Sequence, residues 1–159
     1  MKKGVVTGIY ICAEPGAPME SVEQVRAIRS RGLEADRYCT GKGSFNKKKG
    51  TGHRQVTLIN TLFVDKSPFT LEQTRRNIGV SGLELMLLIG KRFTVDGVTL
   101  LGVKYCDPCD RPSNLCGIPG FADAFHDVGG LVATVIKGGI IRVGSVVTPP
   151  PRKRATPAQ

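Results

Sequence analysis

The segment Arg92–Leu101 limits the folds open to this chain, because it predicts two strands joined by the shortest kind of turn. Asp96-Gly97 stands between two apolar, β-branched runs, and Asp-Gly favours the positive φ angles of a type I′ hairpin. Leu131–Ile136 and Ile140–Val147 repeat the pattern of strand, turn and strand. Short strands separated by turns favour a mainly β fold, a closed or nearly closed, largely antiparallel barrel with a few short helices.

Three segments before this hairpin also have strand character. Gly4–Ala13 superficially imitates a signal peptide, but polar residues and glycines dilute its apolar run, which continues in a strand-like pattern. Gln55–Val64 is dense in β-branched and apolar residues, so at least its first half predicts a buried strand. The spacing of Val22, Val25 and Ile28 leaves helix and strand both open.

The remaining segments predict two short helices and a loop. Thr70–Gln73 has the residues of a capping box, which indicates a helix start and a short helix into Arg75–Asn77. Leu83–Ile89 is apolar and ends at a glycine, as in a second short helix or a tight turn. Gly41–Gly52 carries lysines among glycines and predicts an exposed, mobile loop.

Length and charge favour one domain with an anionic partner. Residues 1–148 are predicted to form the barrel, and the Pro-rich, basic residues 149–159 a disordered tail. Lysine and arginine outnumber acidic residues by 23 to 13 in the 159 residues. Without the tail the excess is still about seven charges, enough to attract a phosphate ligand, nucleic acid or an acidic protein.

The five cysteines, at positions 12, 39, 106, 109 and 116, predict reduced thiols. Their number is odd and their spacing is not that of a secreted disulfide framework, so a cytoplasmic location is expected. No stretch approaches the roughly 20 apolar residues needed to cross a bilayer, so no membrane partner is expected.

The segment Cys106–Cys109 holds two of these thiols where the hairpin strand runs into a loop. A thiol near positive charge can be held as the thiolate that attacks sulfur or binds soft metals. A zinc site would need scattered cysteines and histidines to complete one close pair. A thioredoxin-type pair normally opens a helix, which Pro112 and the nearby glycines and prolines disfavour. Two inert cysteines in a surface loop are a third interpretation.

Short basic clusters beside glycines and strand ends accompany the cysteines. They are Asp36-Arg37, His53-Arg54-Gln55 and Arg75-Arg76-Asn77. Arginine offers planar, bidentate donors for phosphate, and a neighbouring amide can recognise a heterocycle. Any one cluster alone is more commonly a solvated surface charge. Taken with the cysteines, the clusters indicate a site for an anionic, sulfur-reactive cofactor.

In their order along the chain, these motifs resemble the MOSC domain family, named for the C-terminal domain of molybdenum cofactor sulfurase. The similar segments are Gly32–Tyr38, Arg54–Ile59, Arg75–Ile78, Gly90–Val95, Cys106–Cys109, Gly129–Leu131 and Gly138–Gly144. They cover about residues 4 to 147, and their order is more specific than any one of them. The resemblance also makes the segment from Val22 to Ile28 a strand.

The resemblance implies a barrel of mainly antiparallel strands that binds the molybdenum cofactor, a pterin dithiolene bearing a phosphate. The residues that it implies for holding phosphate and pterin are Arg37, Arg54, Arg75 and Arg76, with Asn77 at the ring edge. The pyridoxal phosphate chemistry of the sulfurase belongs to a separate large domain, for which this chain has no room.

Cys109 is the reactive thiol that the resemblance implies, either as a persulfide that carries sulfur or as a direct ligand to molybdenum. Cys106 would assist it, resolve a disulfide or have a structural role. The partners to expect are the cofactor itself, a cysteine desulfurase, and a molybdoenzyme or redox protein.

Two alternatives stay open at this point. The family also contains molybdenum-dependent reductases of N-hydroxylated compounds, although Asn60, where an acid is common, weakens any acid or base catalysis there. Ala35 and Ser145 are further departures from the family pattern. A basic, non-catalytic nucleic-acid-binding barrel would suit the charge, but only 6% of the residues are aromatic and no stacking platform is evident.

Overall fold

The computed structural model describes residues 2–42 and 54–151, and this part of the chain is mainly β. Its strands are β1 Gly4–Ile11, β2 Glu20–Val22, β3 Gln24–Ile28, β4 Gly32–Leu33, β5 Val56–Asn60, β6 Ile78–Ser81, β7 Arg92–Val95, β8 Val98–Tyr105, β9 Leu131–Lys137, β10 Gly139–Arg142 and β11 Val146–Thr148. Its α-helices are α1 Thr61–Asp65, α2 Arg111–Cys116 and α3 Phe121–Ala124, and 3₁₀ turns form at Glu72–Thr74 and Leu85–Leu88.

Seven strands close into a barrel in the order β11-β7-β8-β9-β5-β6-β1, with β1 pairing back onto β11. All neighbours in this ring are antiparallel except β5 and β6, which are parallel. Closure removes the unpaired edges that an open sheet of these strands would expose. The predicted closed, largely antiparallel barrel with few short helices is therefore confirmed.

Apolar side chains fill the barrel, and a bulge shows how the sequence achieves this. In β1, Val6 and Ile9 are both buried although they are three residues apart, because the pairing with β6 shifts register between Val6 and Gly8. A bulge adds one residue to a strand, so the side chains after it change faces, and Ile9 points into the barrel as Val6 does. Fully burying each such side chain stabilises the fold by about 1.5–3 kcal/mol.

A second, smaller apolar cluster lies outside the barrel and anchors the segment between β8 and β9. It contains Ile59, Val64, Phe69, Phe121 and Phe125. The Phe69 and Phe121 rings meet edge to face with centroids 5.1 Å apart, a favourable geometry for aromatic pairs. The segment that carries the Cys106–Cys109 motif is thus held at its far end by buried aromatic rings.

The hairpin at Asp96-Gly97 is confirmed, with Val95 paired to Val98, but the predicted turn type is wrong. A type I′ turn needs positive φ at both central residues, whereas Asp96 has φ 49° and Gly97 is not in that region. Asp96 exchanges hydrogen bonds with Val146 on β11, through its backbone N–H and its Oδ1. These contacts to a third strand, which a two-strand pattern does not contain, hold Asp96 in its conformation.

The structure confirms one further strand prediction and divides another into two strands. The segment from Val22 to Ile28 is extended, as the family resemblance implied, and forms β2 and β3. The predicted single strand Ile140–Val147 is instead two strands in different sheets. β10 pairs with β3 in a three-stranded sheet, and β11 closes the barrel. The chain reverses at Gly144, φ 93°, where Ser145 Oγ accepts a hydrogen bond from Arg142 N at 2.9 Å.

The capping box is present, but its helix is shorter than predicted. Thr70 N donates to Gln73 Oε1 at 2.9 Å, and Gln73 N donates to Thr70 Oγ1 at 3.3 Å. The helix is a single 3₁₀ turn that ends where Arg75 adopts φ 61°. A residue with left-handed backbone terminates a helix. Arg75 and Arg76 therefore lie outside the helix, in the segment that leads to β6.

Gly102 is expected to be needed for the close packing of β8 against the 3₁₀ turn at Leu85–Leu88. A Cβ there would run into the carbonyl oxygen of Leu88, and the Gly102 backbone bonds both Gly90 N and Lys91 O. Overpacking of this kind costs about 1–3 kcal/mol. Denaturant unfolding of Gly102→Ala should show a loss in that range. Gly97→Ala, with open space around its Cβ, is the control, and equal losses would contradict the packing argument.

Two predictions fall on residues outside this description. Most of the predicted Gly41–Gly52 loop and residues 152–159 of the predicted tail lie beyond the described ranges. Within those ranges, no helix has the length and apolar character needed to span a membrane.

Candidate functional site

A cleft at one end of the barrel gathers five arginines and one exposed cysteine. Its lining residues are Gly16, Arg37, Tyr38, Arg54, Arg75, Arg76, Asp107, Cys109, Arg111 and Pro112. They come from five separate stretches of chain, and the space between them, including the open mouth of the cleft, is about 510 Å³.

Asp36 is the buried acceptor around which one wall of the cleft is built. Its Oδ1 accepts hydrogen bonds from Cys12 N, Arg37 Nη1 and Asn77 Nδ2, at 3.0, 3.2 and 3.2 Å. Its Oδ2 accepts from Tyr38 N at 3.2 Å. Burial raises the pKa of Asp36, and the charge of Arg37 and these hydrogen bonds offset part of that effect. One carboxylate therefore joins β1, the loop after β4 and the segment before β6.

Arg37 is held rigidly under the cleft by partners on several sides. Its Nη2 donates to Tyr38 Oη at 3.0 Å and to the Arg75 carbonyl at 3.3 Å. Its guanidinium carbon lies 4.3 Å from the centroid of the Tyr38 ring, a distance at which cation and ring attract. With the Asp36 contact, these bonds fix the position of the positive charge.

The left-handed turn at Arg75 brings two consecutive arginines to the cleft. Arg75 Nη1 donates to the Ala17 carbonyl at 2.9 Å, which joins it to the loop after β1. Burial is the largest influence that lowers the pKa of Arg75, and the charges of Arg37 and Arg111 also lower it. Arginine stays protonated across the physiological range even so, so the lowered pKa reflects first the burial of this charge and second its nearness to two other arginines.

Arg76 has an unsatisfied donor beside the cleft. Its side chain is buried, with Nε donating to the Gly129 carbonyl at 2.8 Å and Nη1 to the Thr74 carbonyl at 3.2 Å. Among the described residues, nothing accepts a hydrogen bond from its buried Nη2. A buried, charged donor without a partner is costly and uncommon in native proteins. The Arg76 residue also lines the cleft.

The sequence matches a known family across this site. Residues 52–148, which include Arg54, Arg75, Arg76 and Cys109, match the model of the MOSC domain. The chain belongs to the MOSC domain family. No curated protein sequence matches the chain.

Solved structures share the fold of this MOSC domain. The YuaD protein from Bacillus subtilis superposes with a TM-score of 0.76 at 20% identity, over 92% of this chain and 94% of that one. YiiM from Geobacillus stearothermophilus gives 0.68 at 15% identity, over 94% and 76%. YiiM from Escherichia coli gives 0.66 at 15% identity, over 98% and 73%. At these identities the likeness shows the fold alone.

The two cysteines of the MOSC domain's Cys106–Cys109 motif lie in different environments. Cys109 is exposed and lines the cleft, whereas Cys106 is fully buried. The Cys106 backbone N–H donates to the Gly130 carbonyl at 2.9 Å, which continues the β8–β9 pairing by one residue and turns the side chain inward. A reagent in the cleft reaches Cys109 and not Cys106.

The expectation that prolines and glycines prevent a helix after Cys109 is wrong. α2 begins at Arg111, and Pro112 occupies its first turn. Proline is tolerated there because the N–H it lacks has no partner in the first turn of a helix. The zinc interpretation gains no support either, since no group of three His, Cys, Asp or Glu side chains that could hold a metal occurs in residues 2–42 and 54–151. His53 lies outside those ranges.

Asn77 does not reach the cleft, contrary to its implied place at the ring edge of a pterin. It is fully buried, and its Oδ1 accepts from Thr57 N and Thr57 Oγ1 at 3.0 and 3.2 Å. Its Nδ2 donates to Tyr10 O and Asp36 Oδ1. Every donor and acceptor of this amide is therefore used inside the protein, and Asn77 supports the cleft from below.

Of the other predicted residues, Arg37, Arg54, Arg75, Arg76 and Cys109 all line the cleft. Sequence reasoning missed Tyr38 and Arg111 as lining residues. Arg111 stands two positions after Cys109, and that nearness was a usable signal. Tyr38 follows Arg37 directly, but its role depends on the fold, which places its ring against both Arg37 and Arg54, with the Arg54 guanidinium carbon 6.0 Å from the ring centroid.

Proposed function

We propose that this MOSC domain binds the molybdenum cofactor in the arginine cleft and carries sulfur on Cys109. The observation that supports the proposal most directly is the convergence of five arginines and the exposed Cys109 on one cleft. A phosphate offers several strong acceptor oxygens, and arginine presents donors in a matching planar fork. The family match supports the choice of this phosphate-bearing cofactor among possible anions.

The donor set fits that cofactor. Arg37, Arg54, Arg75 and Arg76 would hold the phosphate and the polar edge of the pterin, and the Cys109 thiol offers a soft sulfur ligand or acceptor at the exposed side. When bound, the cofactor would supply a molybdenum dithiolene centre for atom or electron transfer. The guanidiniums would orient it, since contacts inside the protein already set their positions.

The sulfur step uses residues of this chain and a donor persulfide. A cysteine desulfurase presents a persulfide, and the Cys109 thiolate attacks its outer sulfur. A new sulfur–sulfur bond forms on Cys109 while the donor's bond breaks, and the donor cysteine leaves as a thiolate. The outer sulfur keeps its hydrogen, so no net oxidation occurs. Cys106 takes no part, because its side chain is fully buried.

Anaerobic purification from a host that makes the cofactor tests the binding proposal. The wild-type protein should carry both molybdenum, measured by elemental analysis, and pterin, measured by fluorescence after oxidation. Purified protein with neither would overturn the proposal. The reductase hypothesis concerns the same cleft and stays a prediction.

Cys109→Ser is expected to abolish sulfur carriage while leaving pterin content unchanged, because the arginines and not the thiol hold the phosphate. After incubation with a cysteine desulfurase, peptide mass analysis should find the added sulfur on Cys109 in the wild type and none in the variant. Cys116→Ser is the matched control, since Cys116 is partly exposed nearby but does not line the cleft. Persisting labile sulfur in Cys109→Ser would remove Cys109 from the step.

A further inference from the structure

Three of the cleft arginines each contact a sulfur atom within the protein. Arg54 Nη1 donates to Cys106 Sγ at 3.5 Å, Arg75 Nη2 to Cys12 Sγ at 3.7 Å, and Arg37 Nη1 to Met19 Sδ at 3.8 Å. Cys106, Cys12 and Met19 are all buried. Each of these guanidiniums therefore has a sulfur contact that is buried inside the protein.

Sulfur is a suitable support for an arginine that must keep its charge available. Thiol and thioether sulfurs are weak acceptors, so they orient an N–H group without the counter-charge of a carboxylate. A carboxylate in the same place would form an ion pair and compete with an incoming phosphate for the same guanidinium. Arg37 has both kinds of partner, Met19 and the carboxylate of Asp36.

Arg54 shows the effect of its sulfur support most clearly. Burial, the largest single influence, lowers the pKa of Arg54, but Cys106 and Tyr38 together outweigh it and raise that pKa. The same two residues contact the guanidinium, Cys106 at its Nη1 and Tyr38 with its ring. These two contacts help to hold the Arg54 guanidinium in a partly desolvated place.

We propose that Cys106 is a positioning residue that holds Arg54 toward the bound anion, and that it is neither a second nucleophile nor a resolving thiol. The inference rests on the anion-binding function proposed above. Cys106 acts through a hydrogen bond to its sulfur, and its complete burial separates it from the chemistry at Cys109. The Cys12–Arg75 contact is a second instance of the same arrangement.

A double-mutant cycle on cofactor-free protein tests this role, with inorganic pyrophosphate as the probe and calorimetry as the readout. Cys106→Ala should weaken pyrophosphate binding about fivefold, as expected for one lost orienting hydrogen bond. In an Arg54→Met background the same change should have no further effect, because the residue through which Cys106 acts is gone. Cys106→Ser, whose hydroxyl can accept from Arg54, should restore binding to within about twofold of the wild type.

Controls separate this role from general destabilisation and from failure of the proposed function. Cys39→Ala removes another buried thiol that does not line the cleft and should leave binding unchanged. Cys106→Val, which fills the space without an acceptor, replaces Cys106→Ala if the alanine variant does not fold. A Cys106→Ala effect that persists in full without Arg54 would overturn the positioning role alone. Wild-type protein that does not bind pyrophosphate would overturn the anion site and this inference together.

Discussion

Arg76→Ala is expected to weaken anion binding by about 100-fold and to leave the purified protein without pterin. Arg76 is the cleft arginine whose buried Nη2 has no acceptor in the described protein. Arg76 also lines the cleft, and one or two charge-assisted hydrogen bonds from its guanidinium to a phosphate would each be worth about 1.5–3 kcal/mol. Losing them corresponds to roughly this change in affinity, since about 1.4 kcal/mol is tenfold.

The measurement is calorimetric binding of inorganic pyrophosphate, alongside pterin content after anaerobic purification. Arg76→Lys keeps the charge but not the planar fork, and should bind with intermediate affinity. Arg142→Ala removes an exposed arginine on β10, outside the cleft, and should bind as the wild type does. If Arg76→Ala binds pyrophosphate within twofold of the wild type, Arg76 is not an anion ligand.

Asp36→Ala is expected to destabilise the protein by about 3–5 kcal/mol, the usual cost of breaking a buried ion pair from one side. The substitution leaves the Arg37 guanidinium buried without its carboxylate. It also leaves three donors without an acceptor, namely the backbone N–H groups of Cys12 and Tyr38 and one amide hydrogen of Asn77. The free energy of unfolding, measured in denaturant, should fall by this amount.

Glu34→Ala is the matched control for this loss. Glu34 also pairs with an arginine, Arg26, but at 3.8 Å and with both side chains more than 60% exposed. Exposed pairs of this kind contribute little, about 0–1 kcal/mol. A loss at Asp36 no larger than that at Glu34 would contradict the view that Asp36 organises the cleft wall.

The same carboxylate gives this prediction a pH dependence. Burial raises the pKa of folded Asp36 above its ordinary value near 3.8, so the folded protein holds that proton more tightly than the unfolded chain does. Protonation of Asp36 therefore adds to the free energy of unfolding. This contribution is fully present below the ordinary pKa of an aspartate and is lost as the pH rises through the higher pKa of folded Asp36. Asp36→Asn, which has no such proton, should lack this part of the pH profile.

Local patterns were enough to predict much of the barrel. The Asp96-Gly97 turn and the β-branched runs on both sides predict a hairpin, and the capping box at Thr70 predicts a helix start, because each depends on residues close together in the chain. Short strands separated by frequent turns also predict a closed barrel, because closing the sheet covers the edges of its outer strands. The turn type and the division of Ile140–Val147 between two sheets depend on strands far along the chain, so no local pattern contained them.

For the cleft, local patterns identify the residue types that are present, namely arginines beside strand ends and two thiols three positions apart. Their roles depend on contacts between residues far apart in the chain. Arg76 Nε donates to the Gly129 carbonyl, 53 residues away, and this distant contact holds the guanidinium at the cleft. The side chain of Asn77, the next residue, forms all its hydrogen bonds with buried groups of the protein. Cys106 and Cys109 differ because pairing to Gly130 turns one side chain inward, and burial depends on the neighbours that the fold brings together.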